Sequence, residues 1–189
     1  MKVPEIALTL KIFGVIMFLI ALDTSFVRSK GEEISSALIK TLLGELQNSI
    51  EQRGVKGSVS YCSERAIPLT DSLSRSYGVK IKRTSFNFRN PKNKPDKMER
   101  KALEFFERAL KEGKKFDYHV QTFKRGNKTV YRYYKPLFVA PLCLNCHGKD
   151  DTNIPKEVLE EILRRYPKDK ARGYSVGDFR GLIRVEFEE

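Results

Sequence analysis

Apolar residues stand at Ile34, Leu38, Leu42, Leu46 and Ile50. A step of four keeps them on one stripe of a helix with about 3.6 residues per turn, which predicts an amphipathic helix over about Glu32 to Arg53. Gly54 follows where a helix often ends in the left-handed conformation, which a residue without Cβ adopts at no steric cost. Ile67, Leu69 and Leu73 predict a second helix over Cys62 to Tyr77, started or interrupted near Pro68. The period then falls to two. Val79, Ile81 and Arg83 alternate with polar neighbours and predict a strand to Phe86. Asn87 to Asp96, with its two Pro and three Asn, is a loop. Asp96 offers an N-cap with Glu99 as the reciprocal partner, and Leu103, Phe106 and Leu110 carry that helix on to Gly113.

Phe116, Tyr118, Val120 and Thr122 alternate, as do Thr129, Tyr131 and Tyr133, with Gly126-Asn127 between them. That is a hairpin signal. Pro136, which lacks a ladder donor, should lie at an edge or at the end of its strand. Pro155 opens a helix to about Tyr166. Gly181 to Phe187 is a closing strand with Leu182, Ile183 and Val185 buried. The whole predicts an α+β fold: a largely antiparallel sheet with helices on one side and at its ends.

At the N-terminus, Lys2 and Lys11 precede an uncharged run from Ile12 to Leu22. This has the form of a secretory signal, and the run is short of the roughly 20 apolar residues of a membrane span. Residues 1–28 are read as a signal peptide or membrane anchor, and 29–189 as one exported domain, periplasmic and either soluble or anchored. No kinase or methyl-accepting segment follows Glu189, so a sensor of this kind would signal through a partner or through the N-terminal helix.

The net charge of +12 narrows the partners less than its size suggests, because Lys and Arg are interleaved with Glu and Asp. That pattern is a solvated surface. No zinc finger, helix-turn-helix or RNP-type aromatic motif is present, and nucleic acid is set aside. The twelve Phe and eight Tyr can line a flat apolar ligand.

The three cysteines do not make a disulfide framework: Cys143 and Cys146 are neighbours and Cys62 stands alone. Cys143-Leu144-Asn145-Cys146-His147 is the C-x-x-C-H attachment motif of c-type haem. One tight turn lets two thiols reach two vinyl groups on one edge of a porphyrin, and the next residue, His147, then lies under the iron. A zinc site would need a second pair of ligands converging from afar. A dithiol redox pair would want a βαβ setting, which is missing. For the other axial position the candidates are Met98, in the first turn of a helix, His119, among apolar neighbours in a strand, and Cys62. Cys62 is read as starting its helix, where the N-terminal dipole favours thiolate. As a soft anionic ligand it would stabilise Fe(III). Equally, it is a small buried hydrophobe.

Tyr61-Cys62-Ser63-Glu64-Arg65-Ala66, Arg83-Thr84-Ser85, Arg89 through Asp96, Tyr131 through Leu137, Cys143 through Gly148, Tyr166 through Ala171, and Gly173-Tyr174 with Gly177 through Gly181 occur in an order that resembles the PAS-like monohaem c family, long described as a domain of unknown function. The resemblance runs from about Glu32 to the end. It implies a PAS-like fold with one covalent haem c held against the sheet. It implies a distal thiolate from the Cys-Ser segment, which is Cys62 here, opposite His147. It also makes Arg83 and Arg89 candidate contacts to the haem propionates. Phe86-Asn87-Phe88 departs from the pattern in being more aromatic. The function expected is that of a non-enzymatic, exported monohaem c-type cytochrome in one-electron transfer or redox sensing, with a redox or signalling partner. The alternative is a gas or ligand sensor in which Cys62 is displaced on reduction. A peroxidase needs an open iron and distal acid and base groups, which a bound Cys62 would deny.

Overall fold

The computed structural model describes residues 5–150 and 152–189, with side chains from Thr24 onward. Its elements are α1 (Glu5–Tyr77), β1 (Lys80–Thr84), α2 (Lys97–Lys111), β2 (His119–Arg125), β3 (Lys128–Phe138), α3 (Leu144–His147), α4 (Lys156–Arg165) and β4 (Phe179–Glu188). The four strands form one antiparallel sheet in the order β1-β4-β3-β2. The last strand of the chain is thus inserted at the centre and closes the sheet. The α+β class and the antiparallel, PAS-like sheet with flanking helices stand as expected.

α1 is one element with a break at Gly54, whose φ of 66° and ψ of 175° are not helical. Gly54 thus ends the predicted helix through a positive φ, and a second arm, residues 55–77, begins at once. This arm starts earlier than the sequence indicates and passes through Pro68 without stopping. The reason is packing: Val59 is buried with Ile154, Val158 and Ile162 of the α4 region, so helix is favoured well before Cys62. The expected signal or anchor segment lies mostly at positions whose side chains are outside the described residues. Among the described residues no helix is long and apolar enough to cross a membrane.

The sheet is covered on both faces, which corrects the expectation of helices on one side. Adjacent residues of a strand point to opposite faces. Ile183 and Val185 join Val27, Ile34 and Leu38 of α1, with Ile81 and Tyr133, in one cluster. Leu182 joins Tyr134 and Ala102, Leu103 and Phe106 of α2 in another. Two adjacent buried positions, Leu182 and Ile183, already required two covers. Each such fully buried side chain contributes roughly 1.5–3 kcal/mol relative to exposure.

α1 also docks on the sheet by polar contacts. Tyr133 Oη donates to Glu32 Oε2 at 2.5 Å, and Lys135 Nζ lies 2.6 Å from Glu32 Oε1. Gly31 lies against the Tyr133 ring so closely that a Cβ there would stand 2.6 Å from both Cβ and Cδ2 of Tyr133. At the start of α2 the predicted capping box is present, Glu99 N donating to Asp96 and Asp96 N to Glu99. Glu99 and Glu186, 0% and 2% exposed, are neutralised by Lys82, Arg184 and Arg132. Pro136 is not on an edge strand, but it stands beyond the last β2–β3 pair, His119↔Tyr134, where β3 has no neighbour on that side. The first strand of the hairpin begins at His119 rather than at Phe116.

Candidate functional site

Cys143, Cys146 and His147 lie on a short turn between β3 and α4. A 3-10 turn over Pro141–Cys143 leads directly into α3. Ala140 is extended, as a residue before proline prefers, and the pyrrolidine ring of Pro141 sets the first turn. Gly148 closes α3 where a Cβ would run into Asn153, whose side chain accepts from Lys149 N at 3.0 Å. The two thiols are free and half-buried, one helical turn apart and so on neighbouring positions of one face.

His147 is oriented by the backbone. Its Nδ1 lies 2.6 Å from the carbonyl oxygen of Ala171. A carbonyl only accepts, so Nδ1 carries the proton and Nε2 keeps a free lone pair. Burial pushes the imidazole well below the ordinary histidine range, and the positive charges of Arg89, Arg180 and Arg83 push it further in that direction. His147 is therefore neutral, the form that ligates a metal.

The carbonyl of Ala171 is held in turn. Asp169, with no exposed side-chain surface, accepts from Ala171 N at 3.1 Å, from Arg89 Nε and Nη2 at 3.1 Å each, and from Arg172 Nε at 3.1 Å. Arg89 Nη2 also donates to Cys146 O at 2.6 Å and to Ala171 O at 3.4 Å. Two backbone bonds, Gly173 N to Gly148 O at 2.8 Å and Tyr174 N to His147 O at 3.0 Å, seat the same loop on the turn. Arg89 thus clamps the far side of the motif and has its carboxylate partner within the protein.

Cys62 is carried to this turn by the second arm of α1. That arm touches both α3 and α4, and Val59, about one turn before Cys62, packs in the cluster that includes Cys146. Cys62 is near enough to Cys146 to help raise the Cys146 thiol pKa. The expectation that a helix start favours its thiolate is corrected, because Cys62 is two turns into the arm. Burial pushes its thiol up, Arg83 opposes this and Glu45 adds to it. Tyr61, beside it, donates to Glu45 across the Gly54 break. Burial likewise pushes the Cys146 thiol up, against the pull of Arg89.

The other candidates are accounted for elsewhere. His119 stacks on Phe105 of α2 with ring centroids 4.2 Å apart. Met98 is in the first turn of α2, as read from the sequence. Among the described residues no three His, Cys, Asp or Glu side chains converge as a metal-binding group, so the zinc alternative finds no ligand set there. Arg83 and Arg180 both act on His147 electrostatically. Arg83 Nε is buried without a hydrogen-bond partner.

These residues fit a haem c. They offer two adjacent thiols, a neutral histidine with Nε2 free, a soft sulfur from another element, and a guanidinium whose buried Nε lacks an acceptor. Asp169, Ala171 and Arg180 were not singled out from the sequence. They lie inside the Tyr166–Ala171 and Gly177–Gly181 segments, but a backbone acceptor has no residue code and an arginine in a basic chain carries no distinguishing signal.

No curated protein matches the chain. Among solved structures, that of the cyanobacterial haem protein Tll0287 superposes with a TM-score of 0.64 at 22% identity, covering 84% of this chain and 92% of that one. At that identity the likeness carries the fold. The model of the Tll0287-like family matches residues 21–187, and the chain belongs to that family.

Proposed function

We propose that this protein is an exported monohaem c-type cytochrome that transfers single electrons or reports redox state. Cys143 and Cys146 would anchor the haem through thioethers, and His147 Nε2 and Cys62 Sγ would hold its iron. The observation that carries the reading is the seating of Val59, about one turn before Cys62 on the second arm of α1, in the cluster against which Cys146 packs. Membership in the Tll0287-like family and a fold shared with a haem protein support the same reading.

When bound, haem c supplies a one-electron Fe(III)/Fe(II) couple. The chain's part is to hold and tune it. The Ala171 carbonyl fixes the His147 tautomer and makes the imidazole a stronger donor. Beside a metal a thiol is deprotonated outright, so the raised pKa of the free Cys62 does not oppose ligation. With both His147 and Cys62 holding the iron, the group would supply electron transfer rather than peroxidase chemistry. The periplasmic setting, attachment to the membrane through residues 1–28, and a redox or signalling partner are part of the proposal. The test is production with cytochrome c maturation machinery. Haem that stays on the chain after denaturation, and a low-spin spectrum with thiolate character that Cys62→Ala abolishes, is the expected result. No covalent haem would overturn it. Carbon monoxide binding to the reduced wild type alone would favour the sensor reading, with Cys62 displaced.

A further inference from the structure

The charges around His147 are unbalanced. Arg83 leaves β1 and Arg180 leaves the start of β4, two strands that meet at Thr84↔Leu182. They approach so closely at Gly181 that a Cβ there would stand 2.9 Å from Ser85 Cβ. Arg180 Nη1 donates to Asn87 O at 3.1 Å, and its guanidinium lies 5.3 Å over the Tyr174 ring, next to the backbone bond from Tyr174 to His147. Neither arginine has a carboxylate in ion-pair contact among the described residues. Arg89 has Asp169, and Arg172 has Asp169 and Asp150. Arg83 Nε is buried with no acceptor at all. Burial lowers the pKa of both arginines; Arg180 lowers Arg83 further, opposed by Cys62 and Tyr166, and Arg89 lowers Arg180 further, opposed by Tyr174 and Asp169.

Guanidinium groups stay charged, and a buried charge without a counter-ion is costly. Arg83 Nε is such a buried, unpartnered atom, and half-buried Arg180 feels only Asp169, a carboxylate already bound by Arg89 and Arg172, so the pair has room for a further anion. We infer that Arg83 and Arg180 form a carboxylate-binding pair beside His147, which takes the two propionates of the haem, while Arg89 serves the proximal turn instead. This rests on the haem c reading above. It reassigns one of the two arginines expected from the sequence and adds Arg180, which nothing had marked. The planar forks of two arginines suit two carboxylates, and their charge would keep both propionates ionised.

The experiment uses the holoprotein, with haem staining after denaturation showing separately whether the covalent group is attached. If no variant and no wild type stains, the haem reading fails and not this one alone. With haem attached, the resonance Raman propionate-bending band should move in Arg83→Gln and in Arg180→Gln, and remain closer to wild type in Arg83→Lys and Arg180→Lys. The midpoint potential of the wild type should be flat through mildly acid pH, and each Gln variant should gain a one-proton dependence there. An unchanged band and an unchanged pH profile in both Gln variants would overturn the assignment. So would stabilisation by added acetate of the wild-type holoprotein, lost in Arg180→Gln, because the pair would then be open to a free anion.

Discussion

Asp169→Asn tests whether the support beneath His147 is as constrained as its geometry. The carboxylate has no exposed surface and collects four donors, from Arg89 twice, from Arg172 and from Ala171 N. Asparagine keeps the shape. It removes the charge and turns one acceptor oxygen into an NH₂ group facing guanidinium donors. Arg89, whose side chain is 14% exposed, then lacks its counter-ion. Removing one partner of a buried pair costs about 3–5 kcal/mol. For a chain of this size each kcal/mol lowers Tm by about 2–4 °C, so the loss should be about 6–20 °C. Circular dichroism melts of wild type, Asp169→Asn, Arg89→Met and the double variant would measure it. The double variant should lie well above the sum of the single losses, because it leaves no orphaned charge. A loss under about 1 kcal/mol, the range of an exposed pair, would refute the reasoning.

Gly31→Ala places a methyl in the Tyr133 ring, which is 0% exposed and cannot retreat, and should cost about 1–3 kcal/mol in a denaturant titration. Burial pushes Glu186 up, but hydrogen bonds from Arg125 and Arg132 outweigh it and bring the carboxyl to about 2. A lowered acid pKa contributes stability that is fully present above the ordinary value of 4.5 and is lost as pH falls toward 2. The difference corresponds to about 3 kcal/mol. Urea midpoints should therefore fall across that window, and Glu186→Gln should flatten the fall while lowering stability at neutral pH. Cys143→Ala and Cys146→Ala should each retain haem through one thioether at reduced yield, with the pyridine haemochrome band shifted to longer wavelength. Equal yield and an unshifted band would argue against two anchors.

Much of the fold was legible where one residue type answers one local demand. Asp96 and Glu99 could be read as a reciprocal cap, Gly54 as a helix end, and Gly126-Asn127 as a hairpin turn, because each signal is complete within a few positions. The turn that carries Cys143, Cys146 and His147 was legible for the same reason. The start of the second arm of α1 was not, since residues 55–61 carry little apolar period and are helical through their contact with α4. The role of Arg89 was not legible either. Its partner is Asp169, far along the chain, and charge pairing at such separation leaves no pattern in a sequence where nearly a third of residues are charged. Leu182 and Ile183 were read as buried, yet the two-sided cover they demand was not drawn from them.

The break at Gly54 is a joint of a single residue between two rigid rods. Counting from it, Cys62 sits at a set angular phase around the second rod, fixed relative to Val59, which packs in the cluster that includes Cys146. Each residue inserted between positions 54 and 62 would rotate Cys62 by about 100° and advance it by about 1.5 Å. The spacing from joint to thiol therefore works as an indexing length: a one-residue insertion would carry the sulfur round to another side of the rod while leaving every residue of the C-x-x-C-H turn untouched.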